Sequence, residues 1–216
     1  MFQFEHWWMP DGETHLTGLM GRLNARVDGR LTYQYHKYVA AIRACRQYRT
    51  AVDVGAHVGL WSYWMAEQFA ALHAFEPRDV HRDCWRLNIP QSTATLYPYA
   101  LGACQASVGL CVDVESSGNT RIAEGETVEM RTLDSFALDA VDFIKIDCEG
   151  YEVFVLEGAR ETLTRCRPVV LVEQKHGTSK RYGQHGRAAL TLLESLGARE
   201  QWECGGDFLF VFPQVH

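Results

Sequence analysis

The feature that most constrains the fold is an apolar strand that runs into a glycine-containing turn at residues 51–60, which read Ala-Val-Asp-Val-Gly-Ala-His-Val-Gly-Leu. A helical pattern follows the turn, and a second apolar strand then ends on Glu76, 21 residues after Gly55 (76 − 55). In doubly wound α/β domains, glycines in such a turn let the backbone approach a nucleoside-containing cofactor, and the acid accepts hydrogen bonds from the ribose hydroxyls. The arrangement therefore predicts an α/β domain with a cofactor site.

The spacing of the glycines separates two classes of cofactor. Dinucleotide enzymes carry G-x-G-x-x-G and hold a pyrophosphate at the helix N-terminus. Here Ala-His-Val separates Gly55 from Gly59, and Asp53 precedes both. An acid at that place would repel a pyrophosphate, but it suits the ammonium group of an amino-acid cofactor. Because S-adenosylmethionine has that ammonium and also a ribose diol for Glu76, the pattern predicts an S-adenosylmethionine-dependent methyltransferase.

Size and composition limit the classes of protein to consider. The chain has 216 residues, of which 47% are apolar and 22% charged, as is ordinary for one globular α/β domain. A net charge of −6 disfavours nucleic-acid binding through phosphate neutralisation. Seven cysteines lie singly without a C-x-x-C pair, which is typical of reduced cytosolic proteins. Without a signal peptide or an apolar run of about 18 residues, we predict a cytoplasmic protein with no membrane partner.

Apolar periodicity predicts alternating strands and helices along the chain. The predicted helices cover residues 33–48, 58–69, 78–87, 152–165 and 187–196. The predicted strands cover residues 51–54, 72–75, 95–97, 141–147, 169–173, 199–202 and 208–212, with further strands in 107–131 around a turn at 116–120. This alternation predicts a Rossmann-like, doubly wound α/β fold, in which a mostly parallel seven-stranded sheet has helices on both faces.

The chain is predicted to contain one main domain and a short extension. Residues 50–216 would form the cofactor-binding domain, and residues 1–49 an extension that is either a lid or packing for the sheet edge. Ligands of such sheets bind at the carboxyl ends of the strands. Asp53, Glu76, Asp147 and Glu173 all end predicted strands, so we expect them to converge on one crevice.

Five segments together resemble the FkbM family of S-adenosylmethionine-dependent methyltransferases, over about residues 50–212. These segments are residues 53–59, 75–77, 132–136, 144–152 and 171–173, of which Ile-Lys-Ile-Asp-Cys-Glu-Gly-Tyr-Glu at 144–152 is the most distinctive. His57 departs from the pattern, since an asparagine is common at its position. The opening Trp8-Met-Pro-Asp-Gly-Glu-Thr-His15 also resembles phage-borne members. The resemblance implies a class I methyltransferase fold and methyl transfer, usually to oxygen.

The cofactor-binding residues are predicted from the glycine turn and the strand ends. The set is Asp53, Gly55, Ala56, His57, Gly59, Glu76, Leu101 and Asp147. Leu101, with Gly102, would flank the adenine in such a fold, although a simple turn there explains the pair nearly as well. Glu76 has an alternative role as a helix N-terminal acid, because carboxylates favour that end of a helix.

The catalytic residues are predicted around the third strand-end acid. Methyl transfer is an in-line displacement at a sulfonium carbon, so the protein must orient the acceptor and remove its proton. The predicted set is Lys145, Asp147, Glu149 and His176, in which Asp147 holds the cofactor ammonium or the acceptor and Glu149 is the base. His176 is a second candidate base because its pKa lies near neutrality. Acids that only contact backbone amides are the alternative for at least one of Asp147, Glu149 and Glu152.

A metal site is considered but not favoured. In related O-methyltransferases of the catechol type, acids after these two strands bind Mg²⁺, and Asp147 with Glu173 would be the corresponding pair. We nonetheless predict a site without a metal ligand.

The acceptor is predicted to be a hydroxyl group on a small molecule, sugar or glycan. The loop 175–187 concentrates Lys175, Lys180, Arg181 and Arg187, which would suit an anionic substrate or form a solvated surface. Methylation of a nucleotide or nucleic acid is the alternative enzyme function, and the net negative charge counts against it. A non-catalytic cofactor-binding protein is the third hypothesis, and the density of acids around Asp147 counts against that.

Overall fold

The computed structural model describes residues 1–111, 118, 120–175 and 177–213. The strands are β1 (Phe2–Phe4), β2 (Trp7–Met9), β3 (Arg26–Val27), β4 (Arg30–Leu31), β5 (Thr50–Val54), β6 (Ala71–Phe75), β7 (Ala94–Tyr97), β8 (Ala100–Leu101), β9 (Ala106–Cys111), β10 (Arg121–Ile122), β11 (Glu126–Arg131), β12 (Val141–Ile146), β13 (Val169–Glu173), β14 (Arg199–Cys204) and β15 (Asp207–Val211). The helices are α1 (His15–Leu23), α2 (Tyr35–Ala44), α3 (Ser62–Gln68), α4 (Asp79–Asn88), α5 (Glu152–Glu157), α6 (Arg160–Cys166) and α7 (Ala188–Ser195), with short 3-10 helices at Asp134–Phe136 and Ser179–Tyr182.

The central sheet has seven strands in the order β14-β15-β13-β12-β5-β6-β7. Neighbours from β13 to β7 are parallel, and β15 alone runs antiparallel, to both β13 and β14. The reversal in strand order lies between β5 and β12, which are adjacent although β6 and β7 of the same sheet lie between them in sequence. In doubly wound sheets this switch point opens a crevice at the carboxyl ends of the strands. The predicted mostly parallel seven-stranded sheet is confirmed.

Helices cover both faces of the sheet because its central strands are apolar on both sides. Val52, Ile144 and Val170 face one side, where they pack with residues of α5, α6 and α7. Phe143 and Leu171, the alternating neighbours, face the other side and pack with residues of α2, α3 and α4. The period of two in each strand therefore builds two apolar layers, and the predicted helices on both faces are confirmed.

A second, four-stranded sheet lies between β7 and β12 in sequence, in the order β10-β9-β11-β8. It contains the strands predicted within residues 107–131, and β9 pairs antiparallel with both β10 and β11. The predicted turn at 116–120 falls largely outside the described residues. The sheet matters for the site because Leu101, Leu110 and Arg121 from it reach the main cavity.

The helix predicted over residues 152–165 is two helices, α5 and α6, which meet at Gly158. A Cβ on Gly158 would clash with the carbonyl oxygen of Gly102, so the chain there has no room for a side chain. The Gly158 carbonyl accepts a hydrogen bond from the Asp134 N–H at 2.9 Å rather than from the helix. The Asp134 carboxylate then accepts the N–H groups of Glu161 and Thr162 at 3.0 and 2.9 Å. A distant residue thus starts the second helix, which no local pattern could show.

Residues 1–49 form the hairpin β1–β2, helix α1, the two-stranded β3–β4 and helix α2. Trp7, Met9 and Met20 are fully buried and pack with Val58 and Leu60, which belong to and follow the glycine turn. The segment therefore lies directly against the predicted cofactor loop. Among the helices that the structure describes, none combines the length and apolarity needed to cross a membrane.

Candidate active site

A cavity of about 190 Å³ opens at the carboxyl ends of β5, β6, β12 and β13. The strand-end residues that line it include Glu76, Asp147 and Glu173, and the glycine turn and β8 supply further walls. Three of the four predicted strand-end acids thus meet in one crevice. The fourth, Asp53, is not among the lining residues.

The glycine turn brings backbone to the cavity wall. Gly55 has φ +74°, and a Cβ there would clash with the carbonyl oxygen of Asp147. Only glycine satisfies both demands, since positive φ and the absence of a side chain are needed together. Gly55, Ala56 and His57 line the cavity. Gly59 does not, because it lies against Trp85 of α4 at φ +92° and lets the turn pack on that helix.

Asp53 lies beneath the turn with 0% of its surface exposed. Its carboxylate accepts a hydrogen bond from the Ser62 hydroxyl at 2.6 Å and forms an ion pair with Lys145 at 3.3 Å. Lys145 in turn donates to the Gly55 carbonyl at 3.1 Å. Burial alone would lower the pKa of Lys145, but Asp53 and then Asp147 raise it, so the ammonium is charged. The structure therefore places Asp53 as a buried anchor for Lys145 and the turn, away from the position of direct cofactor contact that its sequence position suggests.

Glu76 is buried and faces the cavity. Its Oε2 accepts the backbone N–H of His57 at 2.9 Å, and its Oε1 accepts the backbone N–H of Arg78 at 3.0 Å. Burial pushes the pKa of Glu76 upward, but contact with His81 and these two amides outweigh it, so the pKa lies below its ordinary value. The carboxylate is therefore charged and fixed in orientation, as a ribose-binding acid must be.

His57 contacts Glu76 through its backbone N–H. It has φ +49°, and its ring lies 4.2 Å from the ring of His81 in an edge-to-face arrangement. Burial lowers the pKa of His57 well below its ordinary value, and nearby His81, Lys145 and Arg78 lower it further. The imidazole is therefore neutral near physiological pH.

Leu101 ends β8, is buried and lines the cavity, whereas Gly102 is not a lining residue. A Cβ on Gly102 would clash with the sulfur of Met130, so this glycine allows the chain after β8 to lie close to the neighbouring strand β11. Of the pair proposed to flank the adenine, only Leu101 is placed to do so.

Three carboxyl groups converge where β12 and β13 end. Oxygen atoms of Asp147, Glu149 and Glu173 all lie within 4.8 Å of one another. Lys175 joins them, with its ammonium 2.8 Å from Glu173 and 3.3 Å from Glu149. Asp147 also lies 3.8 Å from the Lys145 ammonium.

Crowding changes the protonation of this group. Burial, followed by the charge of Asp147, raises the pKa of Glu173 despite the nearby Lys175. Burial and Asp147 also raise the pKa of Glu149, against the lowering effect of Lys175. Like charges this close resist simultaneous ionisation. Glu149 and Glu173 therefore hold a proton more readily than isolated carboxyl groups would.

Glu152 does not line the cavity. Its Oε1 accepts the N–H groups of Gly150 at 2.8 Å and Cys148 at 3.2 Å, and the residue is almost fully buried. Burial raises its pKa to about 7, although the backbone donors lower it. The alternative in which an acid only binds backbone amides thus describes Glu152, which holds the turn that carries Asp147 and Glu149.

The remaining predicted residues lie elsewhere. His176 falls outside the described residues. Arg187 of the basic loop pairs with Glu200 at 3.2 Å and Glu194 at 3.8 Å, on the exposed surface. Lys175 forms ion pairs within the acidic cluster. Lys175 and Arg187, two of the four basic residues proposed for an anionic substrate, are therefore already paired with acids.

The lining residues that sequence reasoning did not predict include His15, Tyr33 and His81. His15 and Tyr33 come from the N-terminal segment, where no motif marks them. His81 could have been predicted from the sequence, because it lies in the first turn of the helix that follows Glu76. Burial raises the pKa of Tyr33 to about 12, and Asp147 and Glu173 add to this, so its hydroxyl remains a donor.

A sequence model of the methyltransferase FkbM domain matches residues 53–200. That match covers more than half of the chain. The chain belongs to the FkbM methyltransferase family. The matched range includes the glycine turn, Glu76 and the acidic cluster, and it excludes His15 and Tyr33. A comparison with curated proteins gives no match.

Solved structures share the fold of this FkbM chain. Methyltransferase FkbM from Methylobacillus flagellatus KT has a TM-score of 0.51 and 19% identity, over 76% of this chain and 43% of that one. Precorrin-6y C5,15-methyltransferase from Geobacter metallireducens GS-15 has a TM-score of 0.53 and 13% identity, over 87% and 92%. A proposed methyltransferase from Streptococcus mutans, in complex with SAH, has a TM-score of 0.53 and 9% identity, over 84% and 97%. The chain therefore has the class I methyltransferase fold and spans less than half of the first of these proteins.

Proposed function

We propose that the chain is an S-adenosylmethionine-dependent O-methyltransferase that acts on a hydroxyl of a small molecule, sugar or glycan. The observation that carries the proposal is that one cavity contains both an oriented, charged Glu76 and the proton-accepting cluster of Asp147, Glu149 and Glu173. The first suits a ribose diol, and the second suits removal of a hydroxyl proton. The residues 50–216 form the transferase core in this proposal, and residues 1–49 close the cavity.

The cofactor is proposed to lie between the two acidic ends of the cavity. Glu76 would hold its ribose, Leu101 would contact its adenine, and Gly55, Ala56 and His57 of the glycine turn would line the wall beside it. Asp147 binds the ammonium group, because its side chain is about a third exposed at 31%, whereas that of Asp53 is 0% exposed. Asp53 supports this arrangement from below through Lys145.

Glu149 is proposed as the general base. A neutral hydroxyl is a poor nucleophile until a base takes its proton. The raised pKa of Glu149 brings it closer to the working pH, which strengthens it as a base. In the transfer, Glu149 takes the hydroxyl proton while the acceptor oxygen bonds to the methyl carbon. The carbon–sulfur bond breaks, and its electron pair returns to sulfur, so the product is S-adenosylhomocysteine (SAH) and a methyl ether.

A metal ion does not fit this arrangement of side chains. Three carboxylates are a donor set that Mg²⁺ accepts, but the Lys175 ammonium already lies within 3.3 Å of two of them. An ammonium and a divalent cation would repel each other at that distance. The proposed mechanism therefore uses Lys175, rather than a metal, to balance the charge of the cluster.

Two measurements test the function. SAH should raise the melting temperature through binding to the native state, and NAD should not; equal shifts with both ligands, or none, would contradict the cofactor assignment.

Protein incubated with labelled methyl donor and separated metabolite, glycan and nucleic-acid fractions should label the metabolite or glycan fraction. Label confined to nucleic acid would contradict the proposed acceptor.

The base assignment has its own test. Glu149→Gln should lower kcat about 100-fold, as is typical when a general base is lost, and leave SAH affinity within about twofold, because the affected step follows binding. Glu157→Gln, which changes a half-buried glutamate on the next helix that does not line the cavity, is the control and should leave both values unchanged. Full turnover in Glu149→Gln would show that another group takes the proton.

A further inference from the structure

We infer that His81 is a positioning residue for the cofactor ribose, an inference that rests on the proposed function. His81 lies on α4, lines the cavity and is 1% exposed. Its Nδ1 lies 3.2 Å from Oε1 of Glu76, and its Nε2 lies 3.2 Å from a guanidinium nitrogen of Arg78. The three side chains form a chain of contacts, Arg78–His81–Glu76, that ends on the acid assigned to the ribose.

The two partners of His81 determine its tautomer. A guanidinium only donates hydrogen bonds, so Arg78 must donate to Nε2, which therefore carries no proton. The proton of a neutral imidazole is then on Nδ1, where it donates to the Glu76 carboxylate. His81 therefore donates to Glu76 from Nδ1.

This donor completes the coordination of one carboxylate oxygen. Oε1 of Glu76 accepts from the Arg78 N–H and from His81, which uses both of its lone pairs. Among the residues that the structure describes, Oε2 accepts from the His57 N–H alone, which leaves one of its acceptor positions for a ligand. His81 thus prevents rotation of the carboxylate and presents that position to the ribose hydroxyls.

The ring of His81 also contacts the glycine turn. His57 of that turn has its ring 4.2 Å from the ring of His81. The two rings pack together in the buried wall next to Glu76. The wall beside Glu76 thus combines a residue of the glycine turn with a residue of α4, so the glycine motif alone does not predict it.

The experiment compares binding of SAH by calorimetry in wild type, His81→Leu and His81→Asn. His81→Leu removes the donor and should weaken SAH binding roughly tenfold, as expected for loss of a hydrogen bond to a charged group. His81→Asn places an amide N–H near the Nδ1 position and should stay within about threefold of wild type. His73→Leu, which removes a histidine that contacts Tyr97 and does not line the cavity, is the matched control and should bind as wild type.

A ribose-specific readout separates positioning from general packing. The 2′,3′-dideoxy analogue of SAH lacks both hydroxyls, so it should bind wild type and His81→Leu with the same affinity. An equal loss for SAH and the analogue, or no loss for SAH, would overturn the inference. If His81→Leu does not fold, His81→Gln replaces it, because its amide lies nearer the Nε2 position and faces Arg78. Failure of wild type to bind SAH at all would instead refute the proposed function.

Discussion

At the scale of single residues, acids of the same type have different surroundings and therefore different tasks. Asp53 is sealed beneath the turn with Lys145, and Glu76 is held by backbone amides. Glu149 and Glu173 are crowded into the cavity, where burial raises the pKa of each. Environment thus distinguishes a buried ion-paired carboxylate, a carboxylate oriented by backbone amides and two carboxyl groups with raised pKa values.

Replacing Asp53 should affect stability more than cofactor binding. Asp53→Asn leaves the buried Lys145 without its main counter-charge, which typically costs about 3 kcal/mol of unfolding free energy. SAH affinity of the folded variant should change less than about threefold, since Asp53 does not line the cavity. Urea unfolding and calorimetry measure the two effects. A large loss of SAH affinity with unchanged stability would instead show that Asp53 contacts the cofactor directly.

Glu152 should make stability depend on pH. Its folded pKa of about 7 exceeds the ordinary 4.5, so between these values the folded state holds a proton that the unfolded state has lost. Stability from this group therefore falls as pH rises from about 4.5 to 7 and then stays low. Relative to wild type, Glu152→Gln should gain about 3 kcal/mol between pH 4.5 and pH 8.

Urea unfolding of both proteins across that pH range provides the measurement. Glu157→Gln is the control, because Arg160 lowers the pKa of Glu157, whereas burial raises that of Glu152. A pH-independent difference between wild type and Glu152→Gln would mean that Glu152 titrates normally in the folded protein.

At the scale of elements, the break between α5 and α6 shows how one segment is positioned by another. Apolar periodicity predicts a single helix over 152–165, and the periodicity itself is correct on both sides of the break. Gly158 lies against Gly102, and its carbonyl accepts the N–H of Asp134. The Asp134 carboxylate in turn accepts the first N–H groups of α6. A cap supplied from outside the helix is a tertiary contact, so local sequence cannot show it.

Asp134→Ala should therefore destabilise the protein by about 2 kcal/mol, in the upper part of the range for lost helix caps, because three hydrogen bonds are removed. Hydrogen exchange should increase at the start of α6, at Glu161 and Thr162. Asp139→Ala removes an exposed aspartate that pairs with Arg165 and should change stability by less than about 1 kcal/mol. Equal effects of the two substitutions would contradict the capping role.

At the scale of the whole molecule, the N-terminal segment and the transferase core meet at the glycine turn. Asn88, buried on α4, is central to that contact. Its side chain accepts the Trp8 N–H at 2.7 Å and donates to the carbonyls of Trp8 at 3.0 Å and Val58 at 2.8 Å. Loosening this junction would therefore disturb both the segment and the cavity that His15 and Tyr33 help to line.

Asn88→Ala should lower the unfolding free energy by about 2 kcal/mol, because buried backbone groups lose their partners. Amide exchange should accelerate in Trp7–Met9, and the loss of rigidity in the turn should weaken SAH binding. Gln3→Ala, on the exposed first strand, should change neither value. Unaltered exchange in Trp7–Met9 would show that apolar packing alone holds the segment.

The sequence by itself determined the α/β class, the order of strands and helices, and the presence of acids at strand ends. These follow from local periodicity, from glycine's access to positive φ, and from the convergence of parallel strand ends. Which acids enter the cavity was decided by tertiary structure, since Asp53 pairs with Lys145 from a neighbouring strand and lies under the turn. Tertiary structure also brought His81, His15 and Tyr33 to the site and set Lys175 among the carboxylates, because contacts between distant segments depend on packing that no local pattern encodes.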